Sequence, residues 1–129
     1  MLDITLYSKN DTSCTIDVSE SFYEWLSHSK FSKIGKSKEI EITNDSEKIR
    51  LQLIELDNVK RKEYLYFLLE SISEFSEKLI LELERGNPAL LKADSYLKDS
   101  IIGDHIYFIK YLQALKKGIE QEEFVYMEI

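Results

Sequence analysis

Residues 39–56 read EIEITNDSEKIRLQLIEL, with apolar and polar side chains alternating on both sides of the tetrapeptide NDSE. Alternation with a period of two is typical of strands that bury one face, so this stretch predicts an antiparallel hairpin. The apolar residues of the hairpin are expected to face the core: Ile40, Ile42, Ile49, Leu51 and Leu53. The competing interpretation is a helix that begins at Ser46.

Similar alternation occurs at both ends of the chain. LDITLYS (2–8) and CTIDV (14–18) predict two strands joined by the turn KNDT, and EEFVYMEI (122–129) predicts a final strand. Between the first and second hairpins, SFYE has the form of a capping box. We therefore expect Ser21 to cap a short helix that ends near His28.

Three further helices are predicted after the second hairpin. Asp57 is a suitable N-cap for a long helix that ends before Gly86, a residue type favoured just after helices. Pro88 suits the first turn of a shorter helix, PALLKADSYLKDS. The segment SIIGDHIYFIKYLQALKKG predicts another helix, which ends at Gly118.

The order of these elements is β-β-α-β-β-α-α-α-β, which predicts an α+β fold with a mainly antiparallel sheet of about five strands and helices packed on one face. The final strand must return to pair with an earlier one, for which the first strand is the candidate. The chain has 129 residues, 43% of them hydrophobic, with one proline and four glycines. These values predict a single globular domain over residues 1–129.

Charge and composition narrow the classes of partner and location. The formal net charge is -7 and the pI is about 4.9, which disfavour nucleic acid and anionic membrane as partners. Cys14 is the single cysteine, so an intramolecular disulfide is excluded. The sequence begins without a secretory signal pattern and contains no apolar stretch of membrane-spanning length. We expect a cytoplasmic protein, and the abundance of Ile, Lys, Glu, Asn and Ser suits a bacterial or phage origin.

Motifs for metal, nucleotide and acyl chemistry are missing from the sequence: CxxC, HExxH, GxGxxG, GxxxxGK[ST] and GxSxG. His105 follows Asp104, but adjacent helical residues point about 100° apart, which favours a core or boundary histidine. His28 is expected at the surface, and Cys14 as a small buried hydrophobe. We therefore expect no cofactor, no metal site and no enzyme activity. An enzyme with dispersed carboxylates or tyrosines is the alternative, because acid-base pairs need no local motif.

The long helix contains the main functional lead, EYLYFLLESISEFSEKLILELER (63–85). Projection at 100° per residue gives an apolar arc that is expected to face the core: Tyr64, Leu65, Leu68, Leu69, Ile72, Phe75, Leu79, Ile80 and Leu83. The opposite side contains glutamates and two apolar residues, and together they form the predicted partner-binding surface: Glu63, Phe67, Glu70, Glu74, Glu77, Leu81 and Glu84. Acidic groups around exposed apolar anchors suit a basic protein partner, whereas the simpler interpretation is a solvated helix face.

Two other surfaces remain. A basic group could bind phosphate or an acidic patch, or consist of solvated loop lysines: Lys30, Lys33, Lys36 and Lys38, with Lys60, Arg61 and Lys62 added if the helix start lies nearby. Self-association is possible through the final strand or through a helix face of small residues and tyrosine: Gly103, Tyr107, Ala114 and Gly118. The first functional hypothesis is an acidic, non-enzymatic inhibitor, such as an immunity or antitoxin-type protein or a phage-encoded inhibitor. A self-associating adaptor is the alternative.

Overall fold

The computed structural model describes residues 2–44, 46–84 and 95–129, and of residues 44, 84 and 95–104 it describes the backbone alone. The strands are β1 (Leu2–Ser8), β2 (Ser13–Val18), β3 (Lys38–Asn44), β4 (Glu47–Glu55) and β5 (Phe124–Glu128). The helices are α1 (Glu20–His28), α2 (Phe31–Ile34), α3 (Asn58–Glu84) and α4 (Ser95–Glu120). The predicted α+β class and the predicted order of strands and helices are confirmed.

The five strands form one antiparallel sheet in the order β2-β1-β5-β4-β3. The final strand β5 returns to the middle of this sheet and pairs with β1 on one side and with β4 on the other. Within the described sheet, both edges of β5 are therefore used. In this sheet the final strand has no free edge through which a second copy of the chain could pair.

The second hairpin forms as predicted, since β3 and β4 pair with Ile40 opposite Leu51 and Ile42 opposite Ile49. The alternative of a helix from Ser46 is wrong. Ser46 instead lies in the turn with a φ of 64°, a left-handed conformation that tight turns use.

The apolar side chains of this hairpin are buried or half-buried, as expected, while the polar ones that alternate with them are exposed, but the two buried ones, Ile42 and Leu53, lie outside the main core cluster. Glu55 pairs with Tyr126, and Tyr126 pairs with Tyr7, whose neighbour Leu6 points into the main core. Leu53 precedes Glu55 by two residues and so lies on the same side as Tyr7, opposite the helices. Leu53 is buried but does not belong to the main core cluster. Alternation alone cannot tell which face of a hairpin the helices cover.

The helices cover the other face of the sheet. The sheet contributes buried side chains from four strands to the core: Ile4, Leu6, Ile16, Val18, Ile54, Phe124 and Met127. Aromatic rings join the helices to one another above it. Phe22 of α1 contacts Phe108 of α4 edge-on, with ring centroids 5.3 Å apart, and Trp25 contacts Phe75 of α3 at 5.2 Å. Pairs of this geometry add stability beyond the area they bury.

Side chains define where the helices begin. The N-cap of α1 is Ser19, whose hydroxyl accepts a hydrogen bond from the Phe22 amide at 3.3 Å. The prediction that Ser21 caps this helix is therefore wrong by two residues. Asp57 caps α3 as predicted, since its carboxylate accepts a hydrogen bond from the Lys60 amide at 2.8 Å. The turn of helix in α2 falls in the segment predicted to be a basic loop.

The last helix, α4, includes residues 95–100, which were assigned to a separate shorter helix. The remainder of that predicted helix, 88–94, lies outside the described residues, as does the side-chain environment of position 103. Ala114 packs against the core, and a Cβ added at Gly118 would collide with the side chain of Leu6. Gly118 therefore permits close packing of α4 on β1. Tyr107, on the same predicted face, is exposed.

Arg61, in the first turn of α3, joins four parts of the fold through backbone carbonyl groups. Its guanidinium donates to the carbonyl oxygens of Ile119 and Gln121 at the end of α4, the latter at 3.1 Å. It also donates to Phe124 in β5 at 2.7 Å and to Leu56 after β4 at 3.4 Å. The carbonyls at a helix end lack partners within their own helix, so the guanidinium supplies hydrogen bonds that the backbone cannot.

We expect Arg61→Gln to lower the free energy of unfolding by about 2–4 kcal/mol, because it leaves several half-buried carbonyl groups without a donor. Urea denaturation measures the change. Arg50→Gln is the matched control, since the Arg50 side chain is exposed and lies 3.9 Å from Glu39; its expected cost is within about 0.5 kcal/mol. Equal costs for the two variants would show that the Arg61 hydrogen bonds contribute little.

The phenol of Tyr64 in α3 is the largest fully buried side chain, and its hydroxyl has no hydrogen-bond partner among the described residues. Burial, together with the nearby charge of Glu63, raises the pKa of Tyr64 to about 12, although the adjacent backbone of Gly35 opposes part of the rise. The folded state therefore holds this proton more tightly than the unfolded state, whose value is close to 10.0. The resulting stability is present below pH 10 and is lost as the pH rises from 10 to 12.

We expect Tyr64→Phe to be neutral or slightly stabilising at pH 7, because it removes a buried hydroxyl without a partner. Relative to this variant, the wild type should lose about 2–3 kcal/mol between pH 10 and 12. Thermal melting across this pH range measures the difference. The control is Tyr107→Phe, at an exposed position, which should follow the wild type throughout; a Tyr64→Phe curve that also follows it would contradict the assignment.

Candidate functional site

A groove lies between α2 and the first half of α3. It has a volume of about 480 Å³, and we call it the α3 groove, lined by Lys30, Ile34, Lys62, Glu63, Tyr66, Phe67 and Glu70. Its apolar floor comes from Ile34 and Phe67, and the ring of Tyr66 stands beside it. Carboxylates and ammonium groups surround this floor, so the groove offers apolar contact with charges of both signs at its margin.

A shallower depression of about 520 Å³ extends the α3 groove along the helix, sharing Tyr66 and Glu70 with it. Its lining is mixed apolar and acidic: Tyr66, Leu69, Glu70, Ser73, Glu74 and Glu77. Tyr66 is 71% exposed and Leu69 57% exposed. Residues three and four apart lie side by side on a helix, so Tyr66, Leu69 and Glu70 form one continuous patch.

The predicted acidic stripe is present on the exposed side of α3. Glu63, Glu70, Glu74 and Glu77 are all exposed, and Leu81 is exposed as predicted. The side chain of Glu84 lies outside the described residues. Lys78 approaches Glu74 to 3.5 Å, but both side chains are more than half exposed, and exposed pairs of this kind are weak.

Phe67 is not an exposed anchor, in contrast to the prediction. It packs against the core, with its ring centroid 6.1 Å from that of Trp25 and 5.8 Å from that of Phe31. The helix projection placed Phe67 on the exposed side of α3, but α1 and α2 cover this position, because Trp25 and Phe31 pack against its ring. Phe67 therefore forms part of the floor of the α3 groove, and the exposed aromatic residue beside the groove is Tyr66.

The predicted core arc of α3 is also too wide. Tyr64 and Leu68 are fully buried, but Leu69, Ile80 and Leu83 are more than half exposed. A helix of 27 residues is about 40 Å long, and no described residue of α3 beyond Phe75 belongs to the core cluster. Tyr66 was missed in the sequence, although the same projection places it within about 40° of Glu70 and Glu77.

The predicted basic group does not form one surface. The guanidinium of Arg61 donates its hydrogen bonds to backbone carbonyls, and the Lys38 ammonium lies 2.9 Å from the carboxylate of Glu55. This hydrogen bond raises the pKa of Lys38. The structure brings Lys30 and Lys62 together, but at the margin of the α3 groove and beside carboxylates.

The residues considered for catalysis are dispersed. His28 is exposed, with its Nδ1 2.8 Å from the Glu24 carbonyl oxygen. His105 and Cys14 are half-buried. Among the described residues, no group of three or more His, Cys, Asp or Glu side chains is placed to hold a metal ion. Within the same part of the chain, no helix is long and apolar enough to span a bilayer.

No protein-family model matches the chain, and no curated protein or solved structure shows significant similarity to it.

The different environments of Phe67 and Tyr66 can be tested by the effect of each substitution on the free energy of unfolding. We expect Phe67→Ala to cost about 2–3 kcal/mol, because it removes a ring packed between α1, α2 and α3. The neighbouring substitution Tyr66→Ala is expected to stay within about 0.5 kcal/mol, since the ring of Tyr66 is mainly in water. Chemical denaturation of both variants is the measurement. Similar costs for the two would contradict the placement of Tyr66 outside the core.

Proposed function

We propose that the protein is a non-enzymatic binding protein, located in the cytoplasm, that docks a basic protein partner along α3. The observation that supports this proposal is the exposed patch of Tyr66 and Leu69 set among Glu63, Glu70, Glu74 and Glu77. An inhibitor of the immunity or antitoxin type, or a phage-encoded inhibitor, would use such a surface to mask a basic toxin or enzyme.

The patch combines the two components of a protein interface. Tyrosine gives a large contact area at a low entropic cost, and the aromatic and aliphatic pair can anchor a partner once water is excluded. The surrounding carboxylates attract a basic partner and repel an acidic one, which affects association rate and specificity more than affinity. The partner chemistry that fits is therefore an apolar anchor flanked by arginine or lysine.

The spacing of the carboxylates supports a partner rather than a role in folding. Glu70, Glu74 and Glu77 lie at i, i+4 and i+7 on one face of α3. Like charges at this spacing destabilise an isolated helix by a few tenths of a kcal/mol per pair. Only Lys78 is close enough, among the described cations, to pair with one of the three. A basic partner would supply the missing counter-charges.

Charge reversal tests the proposal. We expect Glu70→Lys, Glu74→Lys and Glu77→Lys together to abolish capture of the partner from the native cell, as measured by affinity purification with mass spectrometry. The control is the triple variant Glu41→Lys, Glu47→Lys and Glu122→Lys, which makes the same change in net charge at exposed sites away from α3.

The captured protein is then purified and titrated against each variant. The wild type and the control are expected to bind with an affinity that falls as salt rises, and the α3 variant to bind at least about tenfold more weakly. Equal binding by both triple variants, an acidic partner, or a second copy of this chain detected as a dimer by light scattering would each overturn the proposal.

A further inference from the structure

The two depressions along α3 differ in the charges that line them. The α3 groove is lined by two exposed lysines, Lys30 of α2 and Lys62 of α3, together with carboxylates. The depression that continues it along α3 has no cation in its described lining, and its charged residues are Glu70, Glu74 and Glu77. Within this joined surface, the cations are therefore confined to the end next to α2.

Neither lysine of the groove is paired with a carboxylate of its own chain. The ion pairs among the described residues join other groups. Glu63 and Glu70 line the same groove but lie beyond ion-pair distance of Lys30 and Lys62. An incoming carboxylate could therefore bind these ammonium groups without first breaking an internal pair.

Accessible apolar surface lies between the charges of opposite sign. Ile34 and Phe67 are half-buried, so part of each side chain still meets solvent, and Tyr66 is 71% exposed. Lys62, Tyr66 and Glu70 follow one another at four-residue intervals, so their side chains lie along one side of α3. The ring of Tyr66 therefore stands between a lysine and a glutamate whose positions are about 12 Å apart along the helix axis.

We propose that the partner segment docked on α3 has opposite charges on the two sides of its apolar anchor: an acidic residue that meets Lys30 and Lys62, and basic residues that meet Glu70, Glu74 and Glu77. This proposal rests on the proposed docking of a basic partner along α3, and it specifies the charges of the segment that docks there. A segment that was basic throughout would place like charges against the two lysines, which is unfavourable at an interface. The two signs also determine the direction in which the segment lies along α3, because the reverse direction brings like charges together.

The lysines provide a test in which local pairing and net charge act in opposite directions. The double variant Lys30→Glu, Lys62→Glu makes an acidic protein more acidic, which by long-range attraction alone would strengthen the binding of a basic partner. We expect it instead to bind the protein captured by the wild type about three- to tenfold more weakly, because two favourable charge pairs are replaced by repulsion. Calorimetric titration at one salt concentration is the measurement.

The matched control is the double variant Lys9→Glu, Lys48→Glu, which makes the same change in net charge at exposed sites that line neither depression. It is expected to bind as the wild type does or slightly more tightly. A carbodiimide, which joins an amine directly to a carboxylate in contact with it, gives a second measurement on the wild-type complex. Mass spectrometry is expected to find Lys30 or Lys62 joined to an aspartate or glutamate of the captured protein.

The proposal is overturned if the two double variants bind equally well, or if the carbodiimide joins neither Lys30 nor Lys62 to the captured protein. In both cases, docking on α3 still stands as long as the variant with lysine in place of Glu70, Glu74 and Glu77 binds more weakly than its own control. If that triple variant binds as the wild type does, docking on α3 fails and the charge pattern proposed for the partner fails with it.

Discussion

The hydrogen bonds of Arg61 determine how the helical layer meets the sheet. One guanidinium holds the end of α4, the start of β5 and the residue after β4 around the first turn of α3. A planar group with five donors can satisfy carbonyls from several directions, which an ammonium group on a flexible stem does less well. Because α3 begins at this junction and then passes α2, the position of the α3 groove follows from it.

The aromatic side chains between the helices hold α2 in place beside the α3 groove. Phe31 of α2 packs against Tyr64 with ring centroids 4.7 Å apart, and it also contacts Phe67. Phe67 forms part of the floor of the α3 groove, and Phe31 lines a second cavity, of about 420 Å³, next to α2. The short helix α2 therefore lies between the α3 groove and this cavity, and its residues line both. A four-residue helix gains little from its own hydrogen bonds, so these ring contacts must hold it in place.

Local sequence patterns predicted the elements well, because strand alternation and the Asp57 cap depend on neighbouring residues. They did not predict which face of the second hairpin the helices cover, since that is decided by the pairing of Glu55 with Tyr126, 71 residues later in the chain. The same limit applies to the acidic stripe. A helical projection gives directions around α3, but only the tertiary structure shows that α1 and α2 cover Phe67 while Leu69 stays in water. The cavity has no sequence signature at all, because five separate segments line it.

The exposed face of α3 contributes little to folding, which is the reason for proposing a role in recognition for it. Tyr66 and Leu69 are largely exposed in the folded state, as in the unfolded chain, so they contribute little to the free energy of folding. The glutamates around them slightly oppose helix formation. Their charge, however, disfavours association of the apolar patch with acidic surfaces and with other copies of the same face, and it favours a basic partner. Under the proposed function, the apolar residues of this patch would anchor the partner and the carboxylates would select for its charge, so substitutions there would change binding without weakening the core.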